Sequence, residues 1–295
     1  MKKDYKIHLF AVTTVVLWAS TFAFTKIALE HFSPSSLGLL RYLVASVTLL
    51  VVMLIKKIPF PDFRDIPLFF LTGAFGFALY TQTFNRGNAL LTGATASLVM
   101  ASVPILTAVF ASVFFREKIR PLGFAAFVVE IAGIAVLTLW NGVFAVNSGL
   151  FWIILASVSL TSYNLLQRKL TKKYTALQCT AYSILAGTVL LLFALPGAVK
   201  ELKTAPAKPI LSFIYMGIFS SALAYVLWSL ALSRARKTTD VTNYMFLSPV
   251  LAPVISFLFA GEIPALSDLA GGIIVLFGLY LFFRSNQEKE AVKST

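Results

Sequence analysis

Apolar blocks of about twenty residues recur along the whole of this chain, and no other feature limits its possible folds so severely. A bilayer core about 30 Å thick takes roughly 20 apolar residues per helical crossing. The blocks lack the strict alternation of barrel strands. Hydrocarbon offers no partner for a backbone N–H or C=O, so such blocks can only be helices. Composition agrees: 58% of the 295 residues are hydrophobic and 13% are charged, against about 25% charged in a soluble domain. The sequence therefore predicts an all-α membrane protein and excludes a soluble enzyme.

Charges, prolines and glycines divide the chain into ten predicted transmembrane spans, at about 7–29, 36–55, 66–87, 93–115, 121–140, 149–168, 176–197, 209–232, 239–260 and 266–283. Linkers are short and turn-rich, as at Ser33-Pro34 and Asn141-Gly142, and a charged tail follows from Arg284. Met1-Lys2-Lys3 before an apolar run has the look of a secretory signal. The run over 7–29 is longer than a signal core, however, and is expected to stay as the first span. Cys179, the single cysteine, can form no internal disulfide and is expected to be a buried, inert thiol.

With the N-terminus inside, nineteen Lys and Arg fall on the inner side. Six fall outside: Lys26, Arg41, Arg86, Lys200, Lys203 and Lys208. That asymmetry predicts a multi-pass protein of the cytoplasmic membrane with both termini in the cytoplasm. It also accounts for the net charge of +13 without a nucleic-acid partner.

The second half can be laid on the first. A shift of 145 aligns Tyr80 with Tyr225, Pro104 with Pro249, Glu117 with Glu262 and Gly133 with Gly278. Near the start of each half a shift of 142 aligns Ser20 with Ser162 and Lys26 with Arg168. Five spans per half is an odd number, so the halves must run in opposite orientations. The expectation is two inverted five-helix repeats, 1–145 and 146–295, a recurring build of secondary transporters.

Two stretches carry a family resemblance: Pro104 through Phe115-Arg116-Glu117 to Gly133, and Pro249 through Ala260-Gly261-Glu262 to Gly278. They resemble the EamA-type branch of the drug/metabolite transporter superfamily, as do Trp18-Ala19-Ser20 and Arg41. The resemblance implies a central cavity lined by spans 1, 3, 4, 6, 8 and 9, with the others more peripheral. It also implies a secondary transporter that moves an amino acid, metabolite or drug-like solute, as an exporter, by alternating access. Partners are then the solute and the lipid bilayer; no cofactor is expected, and the oligomeric state is left open. No Gly-x-x-x-x-Gly-Lys-Ser/Thr loop is present for ATP hydrolysis.

In span 3, Thr72, Gly76, Tyr80, Thr83 and Gly87 share one helical face, and span 8 repeats the pattern with Gly217, Ser221, Tyr225 and Trp228. Aromatic rings with one polar handle suit a partly apolar solute or a cation. The expected substrate-binding set is Trp18, Tyr80, Thr83, Tyr163, Asn164, Tyr225, Trp228, Asn243 and Tyr244. Helix packing through small residues is the alternative for these faces. Pro104, Pro249 and Pro253 are expected to interrupt spans 4 and 9, as gating hinges or as simple shape. Glu117 and Glu262 are read as structural, each favouring the N-terminus of the helix that follows. Glu130, deep in span 5, is the candidate for energy coupling. A pair with Arg41 and a subunit contact are its alternatives.

Two other function classes compete with this reading. An intramembrane enzyme would need a zinc helix, paired aspartates or a Ser/His pair. His8 and His31 stand at opposite ends of span 1, which serves none of these. A non-transporting receptor or scaffold is not excluded by any sequence feature.

Overall fold

The computed structural model describes residues 5–116, 119, 121–139, 148–234, 241 and 243–294. Among them all regular structure is helical, with no strand. Helices α1 (Tyr5–Leu29) and α2 (Pro34–Ile55) lead to α3 (Ile66–Gly73), which runs through a π segment (Ala74–Leu79) into α4 (Tyr80–Leu90). Next come α5 (Gly93–Met100), α6 (Val103–Phe115), α7 (Pro121–Leu139), α8 (Ser148–Leu170), α9 (Ala176–Leu191) and α10 (Leu195–Leu202). Helix α11 (Ala207–Tyr215) passes through a second π segment (Met216–Leu223) into α12 (Ala224–Arg234). A 3-10 segment (Asn243–Leu247) precedes α13 (Ser248–Ala260), and α14 (Leu266–Ser294) ends the described chain.

Among the described residues seven stretches are long and apolar enough to cross a membrane: Tyr5–Leu29, Pro34–Ile55, Gly93–Phe114, Ser148–Gln167, Ala176–Leu202, Ala207–Trp228 and Leu266–Ser285. Pro121–Leu137 and Ser248–Ala260 are apolar but shorter. The predicted third span is not among the seven, and α4 carries Gln82, Asn85, Arg86 and Asn88. Two of these polar groups are spent inside the protein. The Asn85 amide donates to the Pro34 carbonyl (2.9 Å) and the Asn88 amide to the Phe22 carbonyl (3.0 Å).

Local chemistry sets the helix starts. The Ser33 and Thr92 hydroxyls cap α2 and α5, and Thr175 with Gln178 forms a reciprocal capping box on α9. Pro104 and Pro249 occupy the first turns of α6 and α13, where no intrahelical amide is needed. They therefore begin new helical segments instead of kinking continuous ones, and only Pro253 lies within a helix.

Helix α1 runs through the middle of the bundle, packed against α2, α4, α5, α11, α12 and α13. Helix α8 packs against α3, α4, α5 and α6, while α2 and α9 pair with each other, as do α7 and α14. Large apolar side chains such as Val47, Leu54, Phe114, Leu258 and Ile273 remain exposed on the outer surface. In water so extensive an apolar surface would drive aggregation; against lipid it is solvated.

The α3–α9 crossing is the closest backbone approach with no room for relaxation. A Cβ at Gly73 would stand 2.6 Å from the Gly187 amide nitrogen and 2.8 Å from the Ser183 carbonyl oxygen. Gly73→Ala is expected to destabilise the protein by about 1–3 kcal/mol, the usual cost of overpacking a fixed site. A thermal midpoint of the purified variant equal to wild type would show that the crossing can widen freely.

Candidate functional site

The first π segment ends immediately before Tyr80 of α4, and the second ends at Leu223, with Ala224 between it and Tyr225 of α12. A π turn loosens the helical ladder and frees carbonyls, and neighbouring hydroxyls take them up. The Ser159 hydroxyl donates to the Phe75 carbonyl (2.7 Å), and the Thr14 hydroxyl to the Ala224 carbonyl (3.2 Å). Ser220, inside the second π segment, donates to the Leu17 carbonyl (2.8 Å). These bonds fix the two irregular segments against α8 and α1, and so fix where the tyrosines stand.

The rings assemble in the middle of the bundle. Trp18 meets Tyr225 edge-on at 5.4 Å between centroids and Trp228 at 5.1 Å. Phe77 joins Tyr225 (6.5 Å), Tyr163 (5.3 Å) and Tyr42 (5.4 Å). Trp18, Tyr80, Tyr225 and Trp228 are each half-buried, Trp18 on α1 and the others on helices that pack against it.

Arg41 enters this cluster from α2. It is 6% exposed, its Nε donates to the Ser221 hydroxyl (2.9 Å), and its guanidinium lies 5.2 Å from the centre of the Tyr42 ring. The Tyr80 and Tyr225 phenols lie within its electrostatic range. Its Nη1 is buried with no acceptor, and among the described residues no carboxylate pairs with it. A buried cation with an unused donor, next to the Tyr42 ring and within electrostatic range of the Tyr80 and Tyr225 phenols, is a site for an anionic group carried on an apolar body.

The sequence-derived candidates divide accordingly. Trp18, Tyr80, Tyr225 and Trp228 come together. Thr83 is near but spends its hydroxyl on the Leu79 and Tyr80 carbonyls of its own helix (2.8 and 3.0 Å). Tyr163 is buried behind Phe77, and its ring occupies the space that Gly76 leaves. The Asn164 amide reaches the Thr107 hydroxyl (3.4 Å), an α8–α6 contact. Tyr244 sits with His8, hydroxyl to Nδ1 at 2.7 Å, towards the N-terminal end of α1. The Asn243 side chain and all of Glu117 lie outside the described residues. Arg41 was legible as a charge within an apolar span, but sequence offered Glu130 as its partner. The two do not pair: Arg41 bonds Ser221, and neither Glu130 oxygen has a hydrogen-bond partner.

At the end of the bundle bearing Lys26, a polar latch ties several helices together. The Lys26 ammonium donates to the Leu91 and Asn88 carbonyls (2.9 and 3.3 Å) and lies 3.4 Å from the Glu262 carboxylate. The other Glu262 oxygen accepts the Gly93 N–H (2.7 Å). Glu262 thus serves the N-terminus of α5, not the helix that follows it. Asp268 serves that helix instead, accepting the Ala265 N–H (2.9 Å) and hydrogen bonds from Thr92 and Thr95.

The sequence profile of the EamA-like transporter family matches residues 5–139 and 147–284. The chain is 32% identical over 284 residues to a "Probable terminal-alkyne amino-acid exporter" of Streptantibioticus cattleyicolor, covering 96% of this chain and 95% of that protein. It is 30% identical over 279 residues to "Uncharacterized transporter YdfC" of Bacillus subtilis, covering 94% and 91%. A "Probable amino-acid metabolite efflux pump" of Salmonella typhimurium is 25% identical over 282 residues, covering 92% of each chain. A protein crystal structure superposes with a TM-score of 0.64 at 19% identity, over 96% of this chain and 99% of that one, a likeness of fold. This chain belongs to the EamA-like transporter family, and is a multi-pass membrane transporter and not an enzyme.

Proposed function

We propose that this transporter exports a small carboxylate-bearing metabolite of the amino-acid kind across the cytoplasmic membrane by alternating access. Arg41 holds the carboxylate, and Trp18, Tyr80, Tyr225 and Trp228 surround the apolar part. Thr83, Tyr163, Asn164 and Tyr244 shape and support the walls of that site. The observation carrying this assignment is the unpaired Nη1 of a buried guanidinium that lies against the Tyr42 ring, within electrostatic range of the Tyr80 and Tyr225 phenols. The printed names of two relatives, an amino-acid exporter and an amino-acid metabolite efflux pump, fit the same class.

The architecture proposed for this cycle is ten spans in two inverted repeats, 1–145 and 146–295, with both termini cytoplasmic. Three observations support it. The family profile matches two consecutive stretches of similar length. The π segments Ala74–Leu79 and Met216–Leu223 fall at corresponding places in the halves. Packing comes in corresponding pairs, α1 with α12 and α13, and α8 with α4 and α6. The basic asymmetry of the loops supports the orientation.

Two of the four tryptophans, Trp18 and Trp228, belong to the proposed site. Titration with a transported amino acid is expected to give a saturable change in intrinsic fluorescence. The change should persist in a Trp140→Phe/Trp152→Phe variant and vanish in Trp18→Phe/Trp228→Phe. Persistence in the latter would place the solute elsewhere.

A further inference from the structure

A cavity of about 270 Å³ lies between α5, α6, α7 and α8, apart from the aromatic cluster. Glu130 lines it from α7 and is 2% exposed. On the opposite side of α7 the backbone is pressed against α14, where a Cβ at Gly278 would stand 3.1 Å from the Glu130 nitrogen. The side chain is thereby committed to the cavity. Neither carboxylate oxygen has a hydrogen-bond partner.

The other polar groups on the cavity wall are Ser102 and Ser157. Their hydroxyl protons are already given away, to the Val99 carbonyl (2.7 Å) and the Ile153 carbonyl (3.0 Å). The hydroxyl oxygens are left as acceptors. With Glu130 ionised the cavity presents acceptors without a free donor, on walls otherwise made of groups such as Leu106 and Phe127. The complement of that surface is a positively charged N–H donor attached to hydrocarbon. An anion is repelled, and a neutral hydrocarbon leaves the carboxylate unmatched.

Ile131 and Ile154 line the cavity and are both exposed on the outer surface of the bundle. Its mouth thus opens towards the lipid-facing side, not towards the centre. Its volume is just below the range of drug-sized pockets, about 300–1,000 Å³, which limits the occupant to a small molecule. We propose that this cavity is a binding site for a small lipophilic amine that enters from the bilayer, with Glu130 as counter-ion to its ammonium. The site is separate from the Arg41 site, has the opposite charge preference, and does not depend on which solute Arg41 binds.

The test uses the full chain in lipid nanodiscs and 3-(trifluoromethyl)benzylamine as probe, observed by fluorine NMR. Its alcohol counterpart, 3-(trifluoromethyl)benzyl alcohol, has the same shape without the charge. The amine is expected to bind saturably, and the alcohol about tenfold or more weakly, because a charge-assisted hydrogen bond is missing. Glu130→Gln should weaken the amine by a similar factor. Ile131→Trp, which keeps the carboxylate and blocks the mouth, should do the same if Glu130→Gln proves unstable. Arg41→Met and Trp18→Ala should leave amine binding unchanged. Equal binding of amine and alcohol, or amine binding indifferent to both Glu130→Gln and Ile131→Trp, would overturn the assignment. So would loss of binding in Arg41→Met with retention in Glu130→Gln, which would place the amine in the central site.

Discussion

Replacing Arg41 with methionine is expected to cut exchange of the transported solute by about a hundredfold while leaving the thermal midpoint of the purified protein close to wild type. Removing one partner of a buried, hydrogen-bonded charge pair costs about 2–5 kcal/mol of binding, and each 1.4 kcal/mol is tenfold. The folded protein carries the opposite penalty. Arg41 is a desolvated cation with no carboxylate partner among the described residues, and replacing such a charge by an apolar side chain of similar volume is often neutral or stabilising. Ser221 loses its donor in the exchange, a cost of about 1 kcal/mol that partly offsets the gain. A residue present only for structure would show the reverse pattern, with stability falling and transport following abundance. Arg41→Lys keeps the charge but not the planar fork, and should retain part of the activity.

Loss of the Lys26 latch is the second large effect. One ammonium joins α1 to two carbonyls at the end of α4 and to Glu262, whose other oxygen holds the start of α5. Alternating access requires this end to open, so the latch must break once per cycle. Contacts to a charged group contribute about 1.5–3 kcal/mol each. Lys26→Met should therefore shift the equilibrium towards an open Lys26 end by about tenfold to a hundredfold. Ser256 offers a reporter, being 1% exposed and so close to α5 that a Cβ at Gly93 would stand 2.2 Å from its hydroxyl. In a Cys179→Ala background, a membrane-impermeant maleimide should label Ser256→Cys slowly. Adding Lys26→Met should accelerate labelling about tenfold or more, and adding Glu262→Gln should do so to a lesser degree. Equal rates in all three would show that the latch does not hold this end closed.

How much was readable in advance follows from which forces are local. Hydrophobic blocks, turn residues and proline positions gave the helix starts to within a few residues, because a span in lipid must satisfy its own backbone, whereas the last helix runs on from the expected 283 to Ser294. The faces carrying Tyr80, Tyr225 and Trp228 were readable from helical spacing, since three of their rings depend on α-helical phase near each tyrosine. What escaped was non-local. The π segments change helical phase through bonds from Ser159 and Thr14 on other helices, and no nearby residue announces them. The pairing of charges likewise depends on which helices touch: Lys26 and Glu262 are 236 positions apart in sequence, and Arg41 bonds Ser221 and not Glu130, the partner offered as an alternative. Thr83 and Asn164 looked like ligands by residue type, and the Thr83 hydroxyl and the Asn164 amide nitrogen each donate to a protein partner.

Substrate counterflow in proteoliposomes, comparing an apolar amino acid with its carboxamide, tests the central claim most directly. The two solutes share the apolar side chain and differ in the carboxylate that Arg41 is assigned to hold. The account predicts that a panel of radiolabelled amino acids includes at least one that exchanges saturably. Its carboxamide should neither exchange nor compete at comparable concentration, and Arg41→Met should abolish the difference between the two. Counterflow of the carboxamide as fast as the acid in the wild-type protein, or no counterflow of any amino acid in the panel, would contradict it.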